Sequence, residues 1–280
     1  MKKTASTISR IDDSENNPFT TDFRYEPKSY ISNDNHSYEK LEQGLTWKDK
    51  GNRNLTLTSI RGTGKTSTLQ NLKQRLDDEY DNVVTIFVNS DNQILDNILS
   101  SAINALPSDS KKDLEASATF FGVLKIARTD KFDKPNSYQA SIQEVLNQYE
   151  KNNIQLVVFI DEIQHVTDEL RILFGAQKTI YNENGPMMII SAGLPSIDEK
   201  LKTDPALSFL LRSRDLTIGN LSNIQIADKY RSIFKEDELS NEQIERLSKD
   251  IQGYPYLYQL VGYEIWNSLL EKKRLTLNKF

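Results

Sequence analysis

The amino-acid sequence predicts an α/β protein: an open parallel sheet sandwiched by helices, followed by a small C-terminal helical domain. Three observations predict it. Between residues 55 and 191, β-prone runs alternate with amphipathic helical runs, the order of parallel strands joined by crossover helices. One strand runs into a glycine-rich turn, Ser59-Ile60-Arg61-Gly62-Thr63-Gly64-Lys65-Thr66, that opens a helix. Beyond Leu216-Thr217-Ile218 the pattern becomes wholly helical.

Residues 1–16 are polar through Asp12, Asp13, Ser14 and Glu15, leave nothing to bury, and are expected to be a disordered tail. From Asn17 to Ile31 aromatic residues recur at Phe19, Phe23, Tyr25 and Tyr30, a stretch expected to pack on the domain. Leu41, Leu45 and Trp47 have helical spacing, and Gly51-Asn52 closes that run before the first strand, Leu55–Thr58. A helix then extends to about Leu76, and Asn82–Asn89 reads as a strand. Ile94, Leu95, Ile98, Leu99, Ala102 and Ile103 define an amphipathic helix ending near Pro107. Residues 116–128 are rich in β-formers around Phe120-Phe121-Gly122-Val123 and suggest a hairpin or short ribbon.

A helix from Ser137 to about Lys151 precedes the apolar strand Val157–Ile160, which is expected to end at Asp161-Glu162. A helix over Asp168–Tyr181 and a buried strand over Met187–Ser191 follow. Ser222-x-x-Gln225 and Ser240-x-x-Gln243 are capping boxes, and Tyr254–Leu270 is an aromatic-rich amphipathic run. The expected organisation is a tail (1–16), an α/β domain (17–221) and a helical lid domain (222–280).

The turn at 59–66 has the chemistry of a phosphate-binding loop. Glycines at 62 and 64 let backbone N–H groups face an anion without obstruction, and the following helix N-terminus adds a favourable dipole. Lys65 is placed for the β- and γ-phosphates, and the Thr66 hydroxyl for Mg²⁺. Ser59, Arg61, Thr63 and Ser67 complete the loop. Ser59 stands where the usual pattern has its first glycine; if that position needs a positive φ, serine costs about 1 kcal/mol or more. In open α/β sheets ligands bind beyond the carboxyl ends of the strands, so Asp161 and Glu162 fall on the same edge as the loop. Asp161 suits Mg²⁺ held through water, and Glu162 suits polarising an attacking water. The alternative for the pair is a solvated helix start.

Composition limits the function classes. The chain has no cysteine, which removes disulfide and thiolate-metal chemistry, and its two histidines, His36 and His165, lie far apart. Its longest apolar runs are about five residues against the roughly 18–20 that a membrane span needs, and its lysine-bearing start lacks the apolar segment of a secretory signal. A cytoplasmic location is the expectation. A net charge of −5 and pI near 5.3 argue against bulk electrostatic binding of nucleic acid.

The order of these features resembles the P-loop NTPases of the AAA+ ATPase superfamily. That order is the loop, the Asp-Glu pair, a polar residue ending the next strand, paired arginines and a helical lid. Within the superfamily Arg-Gly-Thr-Gly-Lys-Thr resembles the initiator clade of origin-recognition and archaeal replication-initiation ATPases. The likeness to a loosely characterised prokaryotic set in that clade extends to Asn17-Pro18-Phe19-Thr20, Ala192-Gly193-Leu194-Pro195 and Gly253-Tyr254-Pro255-Tyr256. The resemblance covers about residues 17 to 270 and implies ATP and Mg²⁺ as ligands. It implies Ser191 as a sensor of the γ-phosphate or attacking water, and Asn89 as a switch restraining Glu162. It further implies that Arg212 or Arg214, the former favoured, reaches into a neighbour's site, with a second copy or partner protein completing it. Gly253–Tyr256 departs from relatives that carry an arginine there, although Tyr254 and Pro255 remain suited to pack on adenine.

Two readings follow. The first is an ATPase acting as a nucleotide-dependent molecular switch, with slow turnover. The alternative is a weakly hydrolysing, nucleotide-gated adaptor in DNA transactions such as replication, transposition or plasmid maintenance, or in a defence system. Direct DNA binding has less support: initiators carry a winged-helix domain after the lid, and none follows here before Phe280, so either such a domain has been trimmed away or DNA contact is delegated and indirect.

Overall fold

The computed structural model describes residues 17–22, 27–32, 36–46, 53–90, 93–116, 134–182 and 185–277. The chain divides into two compact units, one of residues 34–60 and 69–217, the other of residues 1–33, 61–68 and 218–280.

The first unit is built on a five-stranded sheet of β1 (Asn54–Thr58), β2 (Val83–Asn89), β3 (Gln155–Ile163), β4 (Met187–Gly193) and β5 (Arg214–Leu216), in the order β2-β3-β4-β1-β5. Every neighbouring pair is parallel. The central strands are apolar on both faces, as helices on both sides of a parallel sheet require: β3 buries Leu156 through Asp161, and β4 is buried throughout. The chain's helices here are α1 (Ser37–Thr46), α2 (Lys65–Glu79), α3 (Ile94–Ala105), α4 (Ser108–Ala116), α5 (Lys134–Lys151), α6 (Asp168–Asn182) and α7 (Pro195–Thr203). A 3-10 turn, Ser208–Arg212, leads into β5. Leu69, Leu72 and Leu76 of α2 are fully buried, and Ile94, Leu95, Ile98, Leu99 and Ala102 form the buried face of α3. Val145, Leu146 and Tyr149 of α5 and Leu170, Leu173 and Phe174 of α6 complete one continuous core with β3.

The second unit has its own core. It contains α8 (Asn223–Ile233), α9 (Asn241–Asp250) and α10 (Pro255–Leu277). Both expected capping boxes form, Ser222 with Gln225 and Ser240 with Gln243. Phe19 is 2% exposed and lies 5.7 Å from each of the Tyr230, Phe234 and Tyr258 rings, stacked on Phe234 and edge-on to the tyrosines. The expected packing of the aromatic N-terminal stretch is therefore met at Phe19, against the C-terminal helices; Phe23 and Tyr25 lie outside the described residues.

The structure corrects four local expectations. β3 does not end at the acid pair but runs through it to Ile163, and β4 runs past Ser191 to Gly193. Helices α4 and α7 were not foreseen. The first has Leu114 as its buried leucine, and the second buries Ile197 and Leu201, too little apolar periodicity in either to register. Of the ribbon expected over 116–128, Ala116 closes α4 and the rest lies outside the described residues, as does the 1–16 tail.

Candidate nucleotide site

β1 delivers the chain directly into the glycine-rich loop. Gly62 and Gly64 both take left-handed backbone conformations, φ 77° and 91°, where a side chain would be strained. Ser59 is not among the left-handed residues, so serine at the first-glycine position carries none of the strain weighed above. The Gly64 carbonyl accepts the Thr68 N–H at 2.8 Å, which starts α2 at Lys65. Lys65, Thr66 and Ser67 are half-buried in its first turn, Thr63 is buried, and Arg61 is exposed. A Cβ built on Gly64 meets nothing within 4 Å, so the space over the helix N-terminus is open. Its hydroxyl, ammonium and N–H donors form a set suited to a phosphate chain.

The C-terminal helices close on this loop within the same unit. Gly253 has φ 73°, and a Cβ there would lie 2.3 Å from the Leu221 carbonyl oxygen, so only glycine lets the turn pass. Pro255 then starts α10. Between them Tyr254 donates through its hydroxyl to the Arg61 carbonyl at 2.6 Å, and the Tyr256 N–H donates to the Gly62 carbonyl at 3.1 Å. Tyr254 thus meets the loop backbone, whereas Pro255 lines the adjoining cleft with Gly62, Tyr256, Gln259, Thr20 and Asp22. Sequence reasoning missed Gln259. Its Oε1 accepts both the Thr20 N–H at 3.2 Å and the Ser29 hydroxyl at 3.1 Å, fixing the N-terminal segment along α10.

The acid pair belongs to the sheet unit. The β3–β4 register shifts between Ile160 and Ile163, and this irregularity puts Glu162 in the left-handed region at φ 55°. Asp161 is 2% exposed; its Oδ1 accepts the Glu162 N–H at 2.8 Å, and its carbonyl accepts the Ser90 N–H at 2.9 Å. Glu162 is exposed. Asn89, exposed at the end of β2, is the register partner of Asp161. Ser191 is buried between β3 and β1, opposite Ile160 and Thr56, and its hydroxyl makes a long 3.5 Å hydrogen bond to the Leu55 carbonyl.

The paired arginines stand apart from the acids. Arg214 opens β5, three places from β3 in the strand order, and its register partner Leu55 aligns through Ile190 with Phe159, short of Asp161. Arg212, exposed, precedes it on the 3-10 turn.

A family model described as an AAA domain matches residues 48–201, more than half of the chain. The chain belongs to the AAA domain family. No curated protein matches this AAA protein significantly in sequence. Among solved structures it is similar to Cdc6p from Pyrobaculum aerophilum, at 13% identity and TM-score 0.54 over 96% of this chain and 66% of that one. It is also similar to the ORC2 protein of Aeropyrum pernix in its ADPNP–ADP complexes, at 13% identity and TM-score 0.51 over 85% of this chain and 62% of that one. The AAA protein therefore shares the fold of these two proteins and spans slightly less than two thirds of their own lengths.

Proposed function

We propose that this AAA protein binds ATP with Mg²⁺ and hydrolyses it slowly as a nucleotide-dependent molecular switch. The observation that carries the reading is the loop itself: two left-handed glycines, then Lys65 and Thr66 in the first turn of a helix that follows a strand of a parallel sheet. Asp161 and Glu162 lie at the carboxyl end of β3 in the same sheet, the edge on which ligands of such folds bind. The Thr66 hydroxyl and the Asp161 carboxylate are hard oxygen donors that fit Mg²⁺, which is held by few protein ligands and by substrate phosphates. The cation would neutralise charge on the phosphates; Lys65 would bind the β- and γ-phosphates, Glu162 would take a proton from water, and Asn89 and Ser191 would position that water or restrain Glu162. The ADPNP–ADP complexes of the Aeropyrum ORC2 protein agree with a nucleotide in this fold.

The place of Arg212 and Arg214, away from the acids of their own chain, supports their acting on a second copy or a partner protein. DNA contact is indirect on this reading, in keeping with the −5 charge. The protein is assigned to the cytoplasm; among the described residues no helix is long and apolar enough to cross a membrane.

Steady-state turnover measured across a wide range of protein concentration, beside Glu162→Gln, tests the assignment. Specific activity that rises with concentration and vanishes in the variant supports an assembling ATPase. Flat, negligible turnover with tight ATP binding favours the second reading, a nucleotide-gated adaptor, which the uncharged Gly253–Tyr256 turn also favours.

A further inference from the structure

We infer that Tyr254 is a positioning residue for the phosphate loop: its hydroxyl, with the Tyr256 N–H, orients the Gly62 and Thr63 backbone donors toward an anion. The inference rests on the proposed nucleotide site and assigns how the C-terminal helices serve it.

The argument starts from peptide planarity. In a trans peptide the C=O of one residue and the N–H of the next lie in one plane and point in opposite directions. Tyr254 Oη holds the Arg61 carbonyl at 2.6 Å, which fixes the plane that carries the Gly62 N–H. The Tyr256 N–H holds the Gly62 carbonyl at 3.1 Å, which fixes the plane that carries the Thr63 N–H. The two N–H groups are thereby turned away from α10. Successive N–H groups held on one side of a left-handed glycine form an anion-binding concavity, and Gly62 has the required φ of 77°.

The fit leaves no slack. A Cβ at Gly62 would lie 2.2 Å from the Tyr254 hydroxyl, 2.8 Å from its Cζ and 3.1 Å from the Tyr256 Cβ. Tyr254 is itself confined from both sides, by the left-handed Gly253 and by Pro255, which holds the residue before it in an extended conformation. The sequence of the turn therefore specifies where the hydroxyl goes. Gly253–Tyr256 carries no cation, so its contribution to phosphate binding passes through peptide groups of the loop rather than through a charged side chain. Donors already oriented before the ligand arrives lose less freedom on binding, which raises affinity without a new contact.

Tyr254→Phe tests this, because it keeps the ring and removes only the hydroxyl. Binding of ATP, tripolyphosphate and adenosine is measured by calorimetry on the full chain, with thermal unfolding of the free variant as a check that it is folded. The expected result is a loss of about three- to tenfold for ATP and tripolyphosphate with adenosine unchanged, the size of one lost hydrogen bond. The Gly62 and Thr63 amide resonances of the free variant are expected to shift while those of Val158 and Phe159 stay. Unchanged ATP affinity with unmoved Gly62 and Thr63 resonances overturns the inference and leaves the nucleotide site standing. Equal losses for ATP and adenosine overturn it in favour of a base-contacting tyrosine. Failure of the wild-type chain to bind ATP or tripolyphosphate overturns both the inference and the site on which it rests.

Discussion

Asp161 holds Glu162 in an unfavourable backbone conformation: its Oδ1 accepts the Glu162 N–H at 2.8 Å while Glu162 sits at φ 55°. A left-handed non-glycine residue costs about 1–2 kcal/mol and persists where its surroundings over-determine it, a pattern concentrated at functional sites. If Glu162 is the proposed base, stability and turnover are expected to oppose each other here. Glu162→Gly is expected to match or exceed the wild type in urea unfolding, by up to about 1 kcal/mol, while ATP turnover disappears. A clear drop in stability would show that the glutamate side chain anchors the strand instead.

Two substitutions in the loop are expected to behave differently. Gly62→Ala should lower ATP affinity more than tenfold, because the added Cβ lies 2.2 Å from the Tyr254 hydroxyl and the backbone is left-handed. Ser59→Gly removes no strain and should not raise the melting temperature. Calorimetric titration of ATP and thermal melts of the two variants separate these outcomes.

Arg212 should act only across molecules. Arg212→Ala and Glu162→Gln are each expected to lack turnover, and their mixture to regain part of it, because a chain with intact Glu162 can receive Arg212 from its neighbour. Turnover of the mixture that stays at the sum of the separate variants assigns Arg212 to its own chain or to the surface.

Phe19 anchors the N-terminal segment on the C-terminal helices. Phe19→Ala empties a slot walled by Tyr230, Phe234 and Tyr258 and should destabilise that unit by about 3–5 kcal/mol. Hydrogen exchange would show faster exchange across α8 and α10 with the β3 amides unaffected.

Alkaline pH should unfold the protein through its buried tyrosines. Burial raises Tyr149, Tyr230 and Tyr258 well above the ordinary value of 10.0. In the unfolded chain they ionise near that ordinary value, whereas folded they keep their protons, so the unfolded state binds fewer protons as pH rises. The stabilisation is complete below pH 10 and is lost above it, at about 1.4 kcal/mol per pH unit for each tyrosine. Urea unfolding midpoints measured from pH 8 to 11.5 should be flat at first and then fall.

How far the residues declared this structure depends on the range of the interaction. The strands were legible because Val157–Ile160 and Met187–Ile190 are apolar runs that only a sheet covered on both faces can bury. The loop was legible because Gly62, Gly64 and Lys65 act within a few residues of one another. The bulge at Glu162 was not, since it is a property of register between β3 and β4 and leaves no mark in either strand alone. The family resemblance makes Tyr254 a residue suited to pack on adenine and says nothing of its hydroxyl. Its hydroxyl partner, the Arg61 carbonyl, lies 193 residues away, and no local pattern announces it. Gln259 escaped notice for the same reason: on a helix face it is unremarked until Thr20 and Ser29 are placed beside it.

The seat of Phe19 and Thr20 also sets an order of assembly during synthesis. Thr20 leaves the ribosome 239 residues ahead of the Gln259 side chain that receives its N–H. At about 5–20 residues per second, that is a wait of roughly 12–48 s. Phe19 thus waits for its seat, and until α10 is complete the nascent chain presents it to whatever hydrophobic surface or chaperone is at hand.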